Sequence, residues 1–436
     1  MNGWLGLDPV ELVVIGCALV MLSSRWSPER VRGPVALWAA GSGLVAVVVL
    51  LVHGVRWQMV PVLAAMVLTT PLLVGAVRGR RVRTWIAAAG TAAVVFVAAL
   101  GPAASWALPV PEFPTPTGQY AVGTTTRQWT DRTRTDPDGA ARVVVAQFWY
   151  PAAAATGARS PYLGATTAES TVVADGLAAL FDLPGFLLDG LPRATTASTP
   201  DAPAARGRFP LVLFSPGLGG VRTQNTAWAE ELASRGYVVI GMDHPLDSAV
   251  VVLADGRAVH TAVAATGDDE ADRATAQRCA ETRALDLRFA MDELEDLDVA
   301  DPVLAGRLAL DRTAVTGHSL GGGAALMAAG RDTRFKAVID LDGYPYSAGE
   351  TRYPPVLIAH HPTDPNDEFG TAMTRTLSLS SDGTRIEVPG STHLTFTDAP
   401  LYLPPFPTLV GTLGRDRPTT LIADLADDFL TRVLPG

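Results

Sequence analysis

The stretch RTAVTGHSLGGGAALMAAG, residues 312–330, decides the fold. Its first part, RTAVTG, is a β-prone run, and its second part, GGGAALMAAG, consists of small helix-forming residues. A Gly-x-Ser-x-Gly motif centred on Ser319 stands at the junction. The motif alone is weak evidence, because short glycine patterns recur by chance. Between a strand and a helix it predicts a sharp turn that exposes the serine hydroxyl, with small flanking residues letting strand and helix approach. Ser319 is therefore the candidate nucleophile, and the competing reading is a serine in a glycine-rich turn.

Short β-branched runs alternate with longer amphipathic ones on both sides of this stretch. Strands are expected at 143–151, 209–217, 237–245, 312–319, 336–343 and 354–361. Helices are expected at 223–236, 274–297 and 418–434. Such alternation calls for an α/β fold, a mostly parallel sheet covered on both faces. Ligands in these sheets bind at the carboxyl ends of the strands.

A serine nucleophile needs a base, and the base needs an orienting carboxylate. Of seven histidines, His393 in EVPGSTHLTF follows the last core strand, where triads with the chain order Ser, Asp, His carry their base. His318 adjoins the nucleophile and is expected to point away from it. His260 falls in an expected hairpin, and His244 is expected to shape the loop after its strand. For the acid, Asp342 ends one strand and Asp364 or Asp367 follows the next, and the pattern leaves this choice open. Asp340 sits deeper on its strand and reads as structural. His360 and His361 are adjacent, so on a strand they face opposite ways. Neither has a partner at zinc-ligand spacing, and no metal or other cofactor is expected.

The mean hydropathy, +0.22, is high for a soluble chain, and the excess lies at the front. Up to Leu108 there are eight arginines against three acidic residues; beyond it, 26 basic residues face 41 acidic ones. So acidic a domain is a poor nucleic-acid binder. Cys17 and Cys279 fall in different parts of the chain, so no disulfide within a domain is expected. Four apolar runs, 9–24, 34–53, 58–77 and 84–108, suggest about four transmembrane helices. Asp8 and Glu11 in MNGWLGLDPVE argue against a cleaved leader. Arg25, Arg30 and Arg32, and then Arg78, Arg80, Arg81 and Arg83, mark two cytoplasmic loops, against Arg56 alone in the loop between them. The positive-inside rule then places everything after the fourth run outside a multi-pass cell-membrane anchor. The expected organisation is an anchor at 1–108, a proline-rich extended linker at 109–119 and a catalytic domain at 120–436.

YAVGTTTRQWTDRTRTDPDG, the run ending FWYP, FSPGLGGVRTQNTAWAEELASRGYVVIGMDHP, TGHSLGGGAAL, AVIDLDGYPYS and PGSTHLTFTD together resemble the plasma-type platelet-activating factor acetylhydrolases and their bacterial relatives. The resemblance covers most of 118–436 and none of the apolar front. It implies an α/β-hydrolase fold and assigns the acid to Asp342. In the similar cutinase-like hydrolases the acid follows the later strand, which would favour Asp364. An acyl-transfer site also needs two backbone N–H groups for the oxyanion. Leu320 after the nucleophile supplies one, and the resemblance assigns the other to Leu218 in FSPGLGG. Pro216 stands where the family often has histidine.

Two apolar insertions, 176–192 and 399–411, are candidate walls for an acyl chain; the plainer reading is that they cap the sheet edge. The leading expectation is a membrane-anchored serine ester hydrolase acting on a small ester or lipid substrate through a Ser319–His393–Asp342 triad. A general or cutinase-like carboxylesterase, and an inactive hydrolase domain used for binding or sensing, are the alternatives.

Overall fold

The computed structural model describes residues 6–24, 26–77, 83–137, 139–264, 266–346 and 351–435. Arg25, Arg78, Arg80 and Arg81, used above to orient the apolar front, lie outside the described residues. The chain divides into two compact units, Met1–Val110 and Pro111–Gly436.

Among its described residues the first unit holds four α-helices: α1 (Pro9–Ser24), α2 (Glu29–His53), α3 (Val60–Val77) and α4 (Thr84–Ala107). Among the described residues two segments, Glu29–Val52 and Thr84–Ala107, are long and apolar enough to cross a bilayer, not about four. Pro9–Ser24 has 16 residues and so reaches about 24 Å, short of a hydrocarbon core about 30 Å thick. The apolar stretch Trp57–Pro71 is shorter still. Glu11 is buried and pairs with Arg56 at 3.2 Å, which explains how a carboxylate is tolerated in an apolar helix.

The second unit is an α/β domain built on a nine-stranded sheet. Its elements run β1 (Ala121–Thr135), β2 (Ala141–Ala152), α5 (Thr167–Leu180), β3 (Thr199–Pro200), β4 (Phe209–Ser215), α6 (Thr226–Arg235) and β5 (Val238–Asp243). The hairpin β6 (Val250–Val252) and β7 (Ala258–His260) follows, then α7 (Asp269–Ala300), β8 (Leu308–His318), α8 (Leu320–Arg331), β9 (Phe335–Leu341) and β10 (Val356–His360). The chain closes with α9 (Glu368–Ser378), β11 (Gly383–Glu387), two single-turn helices α10 (Ala399–Tyr402) and α11 (Pro407–Val410), and α12 (Arg417–Val433).

Strand order is β11-β10-β9-β8-β4-β5-β2-β1-β3. From β5 to β11 every pairing is parallel, whereas β2 runs antiparallel to both β5 and β1. The strands alternate between two cores. Leu211, Leu213, Val338, Val356 and Ile358 pack with α7 and α8, while Val212, Phe214, Ile339, Leu357 and Ala359 pack with α6 and α12. This period of two buries both faces of each central strand, as a parallel sheet requires. On α7 the buried positions 280, 283, 284, 287, 290, 291 and 294 form the single stripe of an amphipathic helix, and Asp268 caps its first turn. Gly236, at φ 108°, ends α6 in the left-handed conformation that glycine tolerates.

Residues 109–117 carry no helix or strand, yet the later part of the segment is bound to the domain. Thr117 N–H donates to Glu231 Oε2 at 2.9 Å, Gly118 N–H to Ser234 Oγ at 2.9 Å, and the Phe113 and Tyr162 rings lie 4.7 Å apart.

The start of α8 presses against the end of β4. A Cβ on Gly321 would fall 2.0 Å from the Ser215 carbonyl oxygen, and one on Gly322 would fall 1.9 Å from Asp340 Oδ1. Relief needs backbone movement at Gly321, where overpacking costs about 1–3 kcal/mol. Gly321→Ala is therefore expected to lower the thermal midpoint of the domain by roughly 3–8 °C in a melting experiment. A midpoint equal to that of the wild type would contradict this packing.

Candidate active site

Ser319 caps α8 at φ 56° and ψ −123°, a conformation that costs a non-glycine residue free energy and is held by its surroundings. Its N–H donates to the Leu341 carbonyl at 3.0 Å, pinning the turn to the end of β9. Asp342, the residue after β9, also has a positive φ, 59°. Among the described residues only five non-glycine positions have positive φ, and two of them are these two. Both are thus presented at the carboxyl end of the sheet by turns that ordinary strand geometry does not supply.

His393 Nδ1 lies 2.5 Å from Asp342 Oδ2. Asp342 is buried, while the His393 side chain is 46% exposed. Asp364 sits in an exposed turn and accepts from Asn366 N–H, and Asp367 caps α9 through Gly370 N–H. Of the three candidate acids, Asp342 is the one whose contacts include His393.

His361 was not expected here. Both its N–H, at 2.9 Å, and its Nδ1, at 2.8 Å, reach Asp342. The sequence offered His361 no partner at zinc-ligand spacing; in the fold it reaches Asp342, because β10 ends at His360 and strand alternation no longer governs residue 361. Burial by itself would raise the Asp342 carboxyl, but hydrogen bonds from His361 and His393 outweigh it and hold it well below the usual carboxylate range. His361 in turn is raised by its bond to Asp342. The donor atoms of Asp342, His361 and His393 lie within 4.8 Å of one another, a donor set of the kind that binds zinc. Asp342 holds both histidines by hydrogen bonds.

His318 does not simply point away. It is buried beneath His393, ring centroids 4.5 Å apart, and its Nε2 lies 3.0 Å from the His393 carbonyl oxygen. A carbonyl only accepts, so Nε2 carries the proton and Nδ1 accepts from Gln224 Nε2 at 3.0 Å. Burial first, and then the neighbouring His393, pull His318 down to about 3, so it stays neutral. The other end of Gln224 accepts from Gly217 N–H at 3.0 Å, tying this histidine to the loop after β4.

That loop runs beside Ser319: a Cβ on Gly217 would lie 3.5 Å from Ser319 Cβ. Leu218 is 48% exposed, and its N–H makes no hydrogen bond among the described residues. Leu320 is the first residue of α8, where the helix offers its N–H no acceptor. Leu180, at the end of α5, packs over Gly219, so the first apolar insertion reaches this loop. Phe181, Leu183, Phe186 and Phe406, all from the two insertions, remain exposed. A pocket of about 380 Å³ is lined by Tyr344, Tyr346, Phe369, Arg273, Asp367 and Glu368.

Sequence reasoning also missed a buried Ser-His-Asp set. Ser215 Oγ lies 2.9 Å from His244 Nε2, and His244 Nδ1 lies 2.8 Å from Asp286 Oδ2, with all three side chains inaccessible to solvent. Asp286 is balanced by Arg142 and Arg134. No substrate reaches this set, so it is part of the framework. The nearest signal in the sequence was the HP turn after β5, which gave no indication of a partner on α7.

A sequence model of the family described as platelet-activating factor acetylhydrolase, isoform II, matches residues 109–413. Among curated proteins, the platelet-activating factor acetylhydrolase of Cavia porcellus is 31% identical over 160 residues, 33% of this chain and 37% of that one. The Canis lupus familiaris protein of the same name is 25% identical over 260 residues, 53% and 58% of the two chains. A probable 1-alkyl-2-acetylglycerophosphocholine esterase of Arthroderma benhamiae is 30% identical over 144 residues, 31% of each. The chain thus spans 31 to 58% of the length of these relatives. A solved ferulic acid esterase from Streptomyces cinnamoneus superposes with a TM-score of 0.62 at 27% identity, over 74% of this chain and 93% of that one. With the elbow at Ser319, the parallel sheet and a family match across residues 109–413, the chain belongs to the isoform II platelet-activating factor acetylhydrolase family, within the α/β-hydrolase superfamily.

Proposed function

We propose that this protein is a membrane-anchored serine ester hydrolase with Ser319 as nucleophile, His393 as base and Asp342 as acid. The observation that carries the reading is the 2.5 Å contact between His393 and Asp342, at the sheet end where the strained turn presents Ser319. Asp342, kept ionised, fixes the proton on His393 Nδ1 and leaves Nε2 free to take the serine proton. The hydroxyl oxygen attacks the ester carbonyl, and the N–H groups of Leu218 and Leu320 receive the developing oxyanion. Collapse expels the alcohol with the proton from His393, and water then cleaves the acyl-enzyme by the same steps.

The family and the phospholipid-directed names of its curated members support a short acyl ester on a lipid-like alcohol as substrate. The exposed apolar residues of the two insertions suit such a chain. The solved neighbour favours a second reading, a carboxylesterase for aryl or other non-lipid esters. Comparison of a phospholipid bearing a short sn-2 acyl group with p-nitrophenyl and feruloyl esters separates the two. The lipid reading expects the highest kcat/KM on the phospholipid and fails if that substrate is refused.

Ser319→Ala is expected to abolish labelling by a fluorophosphonate probe and to reduce kcat by about 10³-fold or more. Asp342→Asn should cost roughly 10³–10⁴-fold in kcat, and Asp364→Asn no more than about twofold. Loss confined to Asp364→Asn would move the acid to the later strand.

The apolar segments Glu29–Val52 and Thr84–Ala107 support anchoring, with side chains such as Leu37, Trp38 and Phe96 facing outward. Arg30 and Arg32 in the first turns of Glu29–Val52 and Arg83 just before Thr84 favour the cytoplasmic side for both segment starts; with α3 (Val60–Val77) returning the chain across the bilayer between them, this supports an extracytoplasmic domain. Protease added to intact cells should remove the domain, and full protection would overturn this orientation.

His361 adds a pH test. Its pKa is raised in the folded state, so its contact with Asp342 stabilises fully below the unfolded value of about 6.5 and is lost as pH rises through the folded value. His361→Gln should therefore lower the melting temperature more at about pH 5.5 than at about pH 8.5. An equal loss at both would show that the bond to Asp342 does not stabilise the fold through His361 protonation.

A further inference from the structure

Arg283, on the buried stripe of α7, is wholly inaccessible to solvent. Its guanidinium is divided between two tasks. Nε and Nη2 donate to the two oxygens of Asp247 at 2.6 and 2.7 Å. Nη1 donates to the Pro216 carbonyl, and Nη2 also donates to the Gly217 carbonyl at 2.9 Å. Asp247 belongs to the turn after β5, so one side chain joins that turn to the loop after β4.

The consequence follows from peptide geometry. A trans peptide is planar, and its C=O and N–H point in opposite directions; the described residues contain no cis peptide. Holding the Gly217 carbonyl on the Arg283 side therefore turns the Leu218 N–H away from α7. The loop lies against Ser319 and this N–H has no hydrogen-bond partner among the described residues, so it is left for a ligand. Neighbouring bonds hold the rest of the loop. Gly217 N–H goes to Gln224, Gly219 carbonyl accepts from Ala249 N–H at 2.8 Å, and Ser215 is fixed by His244.

Burial of an arginine and an aspartate is costly even when they pair, and apolar residues of similar size would often stabilise a core better. A planar fork that reaches two carbonyls and a carboxylate together is what lysine or methionine cannot reproduce. We propose that Arg283, oriented by Asp247, is a positioning residue that aims the Leu218 N–H at the oxyanion formed during ester hydrolysis.

This rests on the ester-hydrolase reading above, and the experiment separates the two. Arg283→Lys, Arg283→Met and Asp247→Asn are made in the full chain and screened for folding by thermal melting. For each folded variant, kcat and KM are measured on a p-nitrophenyl ester, together with affinity for a trifluoromethyl ketone, whose serine adduct carries an oxyanion. Loss of one oxyanion donor costs about 10²–10³ in kcat, so partial misaiming in Arg283→Lys should cost roughly 10- to 100-fold. KM should stay within about threefold, and ketone affinity should fall by about the same factor as kcat. A folded Arg283→Lys with kcat within about threefold of wild type overturns the proposal, as does a fall in kcat with ketone affinity unchanged. If Arg283→Lys and Arg283→Met do not fold, Asp247→Asn decides by the same two readouts. In all these outcomes the wild type is active; an inactive wild type that does not bind the ketone overturns the ester-hydrolase reading and this proposal with it.

Discussion

The site depends on one close approach, that of the first turn of α8 to the last residue of β4. With 2.0 Å between a notional Gly321 Cβ and the Ser215 carbonyl oxygen, only glycine fits. This contact sets the distance between the turn that carries Ser319 and the loop that carries Leu218. Gly322 repeats the constraint on the other side, where Asp340 fills the space beneath it. Burial pushes the Asp340 carboxyl well above its usual range, and its Oδ1 accepts from Gly343 N–H at 2.8 Å. It thus shapes the turn on which Asp342 sits. The proposed nucleophile, acid and oxyanion loop are consequently coupled through backbone packing before any side-chain chemistry is considered.

Around this junction the domain buries several carboxylates and meets them with histidine or arginine. Asp342 is met by two histidines, Asp286 by Arg142, Arg134 and His244, and Asp247 by Arg283. Buried ion pairs contribute little net stability, since desolvation offsets their attraction. What they contribute here is direction: Asp342 ties the ends of β9 and β10 together through His361, and Arg283 with Asp247 ties the loop after β4 to the turn after β5.

The central strands and the Ser319 turn were legible because β-branched runs and glycine punctuation report local geometry. His393 was legible from its place after the last core strand, Asp342 only with the family resemblance, and the structure adds the contact between them. β1 escaped notice because TTTRQWTDRTRT is half-exposed beside the short edge strand β3 and lacks an apolar run. His361, His318 and Arg283 were illegible for a different reason. Their partners are between 19 and 94 residues away, across strand ends that sequence spacing does not bring together. The apolar front was read as about four spans because every apolar run was counted; the run 9–24 coincides with α1, and its 16 residues are too few to cross a hydrocarbon core.

The account stands or falls on a covalent intermediate at Ser319. The most direct measurement is acid-quenched mass spectrometry of the full chain during turnover of an ester with a good leaving group and a slowly hydrolysed acyl group. The account predicts a mass increase equal to the acyl group, mapped by peptide fragmentation to Ser319. Turnover with an unmodified Ser319, or an acyl group on another residue, would contradict it.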